Sequence, residues 1–316
     1  MSNFWGLIRN ENMKIYRKPG TFVMMGILVA LVLITAFLFK NIVDETVTGN
    51  WKQKLQTENV QLQKEIKKEA KSNPGIVKYN TEKIEINKYR IKHNYQPIRS
   101  VADYLQKSTS MVSIIVILTL IVAGGSVAGE FSAGTIKMLL IRPSSRTMIL
   151  LSKFIAVILF AIVLLLLNFV ASFIIGGLVY GFEGASQPIL EYVNGHVETM
   201  NVFGEIWKQY GYGCIELIIM ATFAFMLSVM FRNSSLAIAA SIILSMSGSI
   251  IMSFISKYSW SKYVLFANTD LTMYTAGRTP LVKGMTLNFS IAVLLVYFIV
   301  FTVLTVVVFK KRDVAA

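Results

Sequence analysis

Six long apolar runs divide the chain, five of them close to the ~20 residues that a helix needs to cross a bilayer core of about 30 Å. They predict spans over residues 21–39, 109–128, 148–180, 210–231, 235–255 and 287–309. The third is longer than the core requires and should tilt or protrude. The stretch between the first two spans, 40–108, is polar but patterned. Trp51, Leu55, Leu62 and Ile66 recur at helical spacing, Ser72-Asn73-Pro74-Gly75 reads as a turn, and Val77, Ile84 and Ile91 repeat every seven residues. Two antiparallel helices packing on those stripes would form a hairpin about 30 Å tall. Such a hairpin can be a substrate gate, a dock for a partner, or a solvated helical insertion.

The shorter segments have patterns of their own. Residues 1–20 place Phe4, Trp5, Leu7, Ile8, Ile15 and Tyr16 among Arg9, Lys14, Arg17 and Lys18, and Pro19-Gly20 breaks the run. As a helix this is basic and amphipathic, which suits a membrane surface; a frayed basic tail is the alternative. In 129–147, Phe131 to Ile141 form an amphipathic run with Ile136, Leu139 and Leu140 on one face. Pro143 should end it near Arg142, and Ser144 or Ser145 can cap the next helix. Gly125 and Gly129 have the GxxxG spacing of a helix-packing seam or a hinge. Residues 181–209 read as a loop, and 256–286 as a loop whose Tyr258, Trp260, Tyr263 and Phe266 suit the interface.

Charge then orients the chain. Arg9, Lys14, Arg17 and Lys18, then Lys137, Arg142, Arg146 and Lys153, then Arg232, then Lys310, Lys311 and Arg312 fall at one set of span ends. Glu183, Glu191, Glu198 and Glu205 fall in a loop at the other set. Basic residues accumulate inside, so an even number of spans with N- and C-termini in the cytoplasm is expected. The hairpin 40–108 and the loops 181–209 and 256–286 would then be extracellular.

Composition narrows the chemistry. Of 316 residues, 54% are hydrophobic, and the formal net charge is +14. Because the basic residues flank the spans, they point to anionic headgroups and membrane lipids as partners, not to nucleic acid. A single cysteine, Cys214, excludes an intrachain disulfide framework and a multi-cysteine metal site. No Gly-Lys dipeptide occurs, so the phosphate cradle GxxxxGK[ST] is absent. His93 and His196 stand in predicted loops, no HExxH occurs, and Gly124-Gly125-Ser126-Val127-Ala128 misses GxSxG at its last position. Ser126 therefore reads as a packing residue. No catalytic residue, no metal site and no cofactor are expected in this chain, and it is not expected to be an enzyme.

Glu130, Gly134-Thr135, Arg142-Pro143, Ser145-Arg146 and Lys153 resemble the pattern between the second and third spans of ABC-2 type transporter permeases. Asn10-Glu11, Lys14-Ile15 and Arg17-Lys18-Pro19-Gly20 are similar to the start of the same family. With six spans, the resemblance covers nearly the whole chain. It implies an all-α polytopic membrane protein of the cell membrane with an N-terminal elbow helix (Trp5, Lys14, Arg17) and a cytoplasmic coupling helix. Glu130, Gly134, Thr135, Arg142, Pro143 and Arg146 would meet the ATPase. It also implies two separate ABC ATPase subunits carrying ATP and Mg, a second permease copy or related permease, and short re-entrant helices in 256–286. The cargo it implies is amphipathic or hydrophobic: an antimicrobial peptide, an antibiotic or a lipid, moved outward.

Three residues invite individual expectations. Glu130 could pair with Arg142, Arg146 or a basic residue of the first helix; a solvated helix-end charge is the bland alternative. Glu216, an ionisable group within the fourth span, should face the bundle interior or a water-filled path, or make a structural hydrogen bond. Asn168, midway along the third span, is a further candidate for the translocation path, with interhelical hydrogen bonding as its plainer role. Two other functional classes remain: a non-transporting sensor or scaffold whose extracellular hairpin binds a ligand, and a polytopic membrane enzyme.

Overall fold

The structure, a computed structural model, describes residues 4–42, 50–69, 72–135, 144–193, 195–275 and 280–311. Among the described residues, six helices are long and apolar enough to cross a membrane. A short helix, α1 (Phe4–Tyr16), precedes the first of these, α2 (Pro19–Ile42). The break falls at Arg17-Lys18, and Pro19 opens α2, where its missing amide hydrogen costs nothing.

The polar stretch folds as an antiparallel helical pair, α3 (Trp51–Glu69) and α4 (Pro74–His93). The side chain of Asn73 accepts from the Ile76 amide at 3.3 Å to start α4, and Asn94 ends it in the left-handed region. Leu55, Leu62 and Ile84 are buried in the seam, as their spacing suggests. Between them lie two buried polar residues that the apolar stripe did not reveal. Asn80 donates to Glu65 at 3.0 Å, and Asn87 donates to Glu58 and Asn59 at 3.1 and 2.9 Å. They occupy the alternate heptad positions between Val77, Ile84 and Ile91, where a satisfied amide fixes register.

The second span is compound. α5 (Val101–Ser108) passes through a 3₁₀ turn, Thr109–Met111, into α6 (Val112–Ser132). α7 (Arg146–Tyr180) is 35 residues long, roughly 50 Å, well beyond the apolar core. Ser145 caps it by accepting from the Met148 amide at 3.2 Å. α8 (Val202–Met230) and α9 (Ser234–Ile255) are likewise capped, by Asn201 and Asn233. α11 (Leu287–Lys311) closes the bundle.

Two loops have structure that periodicity did not give. In the segment read as a loop over 181–209, β1 (Ile189–Val193) and β2 (His196–Met200) pair antiparallel, Ile189 opposite Met200 and Val193 opposite His196. Gly195 takes a positive φ in the turn between them. The Asn194-Gly195 pair, with Val193 before it and His196-Val197 after, is the signal that marks it. In 256–286, two 3₁₀ turns (Ser259–Tyr263 and Leu271–Tyr274) flank α10 (Leu265–Asn268) and pack back against the bundle. Asn268, fully buried, donates to the Lys262 and Val264 carbonyls and accepts from Ser290. Phe266 fills a notch at Gly248, where an added Cβ would lie 2.3 Å from the ring.

α6 and α8 form the centre of the bundle. The most apolar window of α8 is 72% buried, against 17% for each of α2, α9 and α11, so the outer spans leave most of their surface to a surrounding apolar phase. The seam between α6 and α9 runs through Gly124, whose added Cβ would meet the Ile238 backbone at 3.1 Å. The expected Gly125–Gly129 pair faces α9 more loosely: an added Cβ would meet Ile238 and Ser234 at 3.5 Å from Gly125, and Ser234 at 3.9 Å from Gly129. The coupling helix expected across Phe131 to Ile141, with Arg142 and Pro143, falls largely on residues 136–143, outside the described residues. Of that run, Phe131 and Ser132 belong to the last turn of α6, and a turn follows in which Gly134 has a φ of 68°.

Candidate functional site

At the end of the bundle that carries α1, four charged side chains from three helices meet. Glu11 and Lys14 stand one turn apart on α1, on the face that packs against α7. The packing is apolar around them: Ile8 is buried and Tyr16 meets Phe160 edge-on at 6.2 Å. Glu130 lies in the last turn of α6, and Lys153 in the second turn of α7. Lys153 donates to Glu11 at 2.8 Å and to Glu130 at 2.6 Å. Lys14 donates to Glu11 at 2.7 Å and to Glu130 at 3.0 Å. The result is a closed knot of two acids and two bases, net neutral.

The knot is largely shielded from water. Lys153 is only 4% exposed, so it does not snorkel to the interface; α1 folds over it and supplies the counter-charge. Such a lysine is tolerated because both its neighbours are carboxylates. Burial alone would raise the Glu11 carboxyl, but Lys153 and Lys14 outweigh it and hold Glu11 below its ordinary value. Burial likewise opposes the charge on Lys14, and Glu11 and Glu130 overcome it and raise the ammonium above its ordinary value. One oxygen of Glu130, Oε1, accepts from both lysines; the other, Oε2, is buried without a hydrogen-bond partner.

Among the partners that the sequence allowed for Glu130, the structure supplies Lys14 of the first helix. Lys153 joins it. Thr135 reaches back to the Glu130 carbonyl at 3.4 Å, and Gly134 turns the chain away from α6. Arg142 and Pro143 lie outside the described residues. Arg146 donates to the Lys310 carbonyl at 3.4 Å, joining the start of α7 to the end of α11. Ser132 donates to the Arg232 carbonyl and accepts from the Ser234 amide, which ties α6 to the α8–α9 turn. Trp5 is 75% exposed, and Arg17 is exposed.

The two intramembrane candidates part company. Asn168 is completely buried, donating to the Tyr210 hydroxyl at 2.8 Å and the Ser108 carbonyl at 3.3 Å, so it joins α7 to α8 and α5. Glu216, on α8, is half-buried with the acidic Asp270 as a charged neighbour. Among the described residues there is no group of three or more His, Cys, Asp or Glu placed to hold a metal.

Beside the knot opens a groove of about 780 Å³ between α1–α2 on one side and α6 and α9 on the other. Glu11, Lys14, Glu130 and Lys153 form its inner wall, and Arg17 and Lys18 lie at its lip.

The sequence compares with known proteins along its whole length. It is 43% identical over 314 residues to "Uncharacterized protein YhcI" of Bacillus subtilis (strain 168), covering 98% of this chain and 99% of that protein. It is 33% identical over 213 residues to "Uncharacterized membrane protein YdbK" of the same organism, covering 67% of this chain and 82% of that one. A family model described as "Protein of unknown function (DUF2705)" matches residues 77–315. With its six apolar helices, the chain is thus a polytopic membrane protein that belongs to the DUF2705 family.

Proposed function

We propose that this chain is the membrane subunit of an ATP-driven exporter of the ABC-2 type. It would work with two separate ATPase chains and a second permease copy or related permease, and move an amphipathic or hydrophobic cargo across the cell membrane. In this reading α1 is an elbow helix on the cytoplasmic side, both termini are cytoplasmic, 129–147 is the cytoplasmic coupling loop, and the α3–α4 pair is extracellular.

The observation that supports it is the charge knot. It binds α1, the end of α6 and the start of α7 into one unit, and residues 136–143 run between two of those three helices. A push on that segment by a soluble partner is felt at once by three helices, because breaking the knot would strand a buried charge. An ATPase moves the bundle only if it binds one arrangement of that unit better than another.

Affinity purification of the full chain from its own membranes in mild detergent is expected to bring down an ATPase chain whose hydrolysis this subunit stimulates. Glu130→Ala should still reach the membrane and hold the partner, yet lower the stimulated hydrolysis by about tenfold or more. Wild-type stimulation in that variant would dismiss the role of Glu130. Purification free of any ATPase in several detergents would favour the sensor or scaffold reading instead.

A further inference from the structure

We propose that the groove beside the knot is a binding site for an anionic phospholipid, with its phosphate at Arg17 and Lys18 and an acyl chain along α2, α6 and α9. The inference concerns this chain alone and does not rest on the exporter reading.

Three observations converge. The first is charge. The four inner groups Glu11, Lys14, Glu130 and Lys153 pair with one another and sum to no net charge. Arg17 and Lys18 at the lip are exposed and have no ion-pair partner among the described residues, so two positive charges remain at the opening. The second is the wall. Beyond the charged end the groove is lined by Met24 of α2, Ile121 and Val122 of α6, and Ile238 of α9. The groove thus sets exposed cations beside a hydrocarbon-lined stretch, the arrangement that a phospholipid matches and a soluble anion does not. The third is space. Gly125 and Gly129 face the groove, and a Cβ at either would meet nothing closer than 3.5 Å, unlike Gly124 in the tight seam. Their lack of side chains keeps the channel open beside a closely packed contact. The volume falls within the range of roughly 300–1,000 Å³ typical of ligand pockets, enough for a headgroup and part of one chain.

The test uses the full chain in nanodiscs of phosphatidylcholine doped with a phosphatidylglycerol whose acyl chain carries a photo-crosslinker. Its counterpart is a phosphatidylcholine with the same labelled chain. Labelling is expected to concentrate on peptides containing Met24, Ile121–Val122 or Ile238, with phosphatidylglycerol favoured by roughly tenfold or more, since each cation near an anionic surface is worth about fivefold. Arg17→Gln with Lys18→Gln, both at exposed positions, should abolish the headgroup preference. Gly125→Leu should fill the groove and remove the labelling, and Val122→Trp serves the same purpose should the leucine variant fail to elute as a single folded species. Tens of millimolar inorganic phosphate should not compete. Equal labelling by the two lipids, labelling spread over all outer spans, or full competition by phosphate would each overturn the proposal, the last by making a free anion the ligand.

Discussion

The α1–α2 unit is held to the bundle at both ends, by unlike devices. At the α1 end the grip is ionic: four charges, two of them on α1, closed around Lys153. At the far end of α2 it comes from hydrogen bonds to backbone carbonyls. Tyr104 donates to the Val32 carbonyl at 2.5 Å and lies 3.1 Å from the Thr35 hydroxyl; Tyr180 donates to the Ala36 carbonyl; Arg99 donates to the Phe39 carbonyl at 2.8 Å and lies over the Phe39 ring. Arg99 there meets a carbonyl of the last helical turn, where a cation also suits the helix dipole. Between the two grips α2 packs chiefly on α7 and leaves its α6 side open, which is where the groove lies. A tether of buried charges is strong when complete and costly when one member is missing. A tether of separate hydrogen bonds loses strength one bond at a time. The first suits a joint with two states, the second a fixed hinge point.

Removing single members should expose this difference. Lys153→Met leaves two carboxylates facing one lysine in a poorly solvated site and should cost about 3–5 kcal/mol. Thermal unfolding of the detergent-purified protein should show it as the largest drop in midpoint among these variants. Adding Glu11→Gln to it should recover part of the loss, and failure to recover any would mean that the lysine acts by packing alone. Tyr104→Phe removes the hydroxyl at the other end. It should cost about 1–2 kcal/mol, because the Val32 carbonyl keeps its place in the helix and only the net worth of the hydrogen bonds is lost. A cost equal to that of Lys153→Met would erase the distinction between the two grips.

How much of this was legible in the sequence follows from range. The six spans were, because a bilayer demands long uninterrupted apolar runs that nothing else in a chain imitates. The cap at Ser145 and the break at Ser72-Asn73, with Pro74-Gly75 opening α4, were too, since both are local chemistry. The seam polarity at Asn80 and Asn87 was not: a polar residue at helical spacing looks like a solvent face until the partner helix supplies Glu65 and Glu58. The β1–β2 hairpin carried its signal in Asn194-Gly195, but the acidic residues around it read first as a loop. The knot was legible by halves. A basic residue of the first helix was among the partners open to Glu130. The burial of Lys153 was not, because it depends on Glu11, 142 positions away, being folded over it. Gly125 and Gly129 had the right spacing for a seam and do face α9, yet the closest approach falls at Gly124, which the spacing did not single out.

The smallest effect, and the one that separates the two grips most cleanly, is that of pH. Glu11 is held below its ordinary value of 4.5, so its contribution to stability is fully present above that value and is lost as pH falls through the lowered one. Lys14 is raised above its ordinary 10.5, so its contribution is present below 10.5 and is lost as pH rises through the raised value. Between those edges the knot should contribute a constant amount. The gap in unfolding midpoint between wild type and Glu11→Gln should therefore stay level from about pH 6 to pH 9 and narrow below about pH 4.5. The gap between wild type and Tyr104→Phe should stay level through the same acid range, because that variant leaves all four charges of the knot in place. If the two gaps narrowed together on acidification, the charges at the α1 end would be contributing nothing of their own, and α1 would be held by its apolar face against α7.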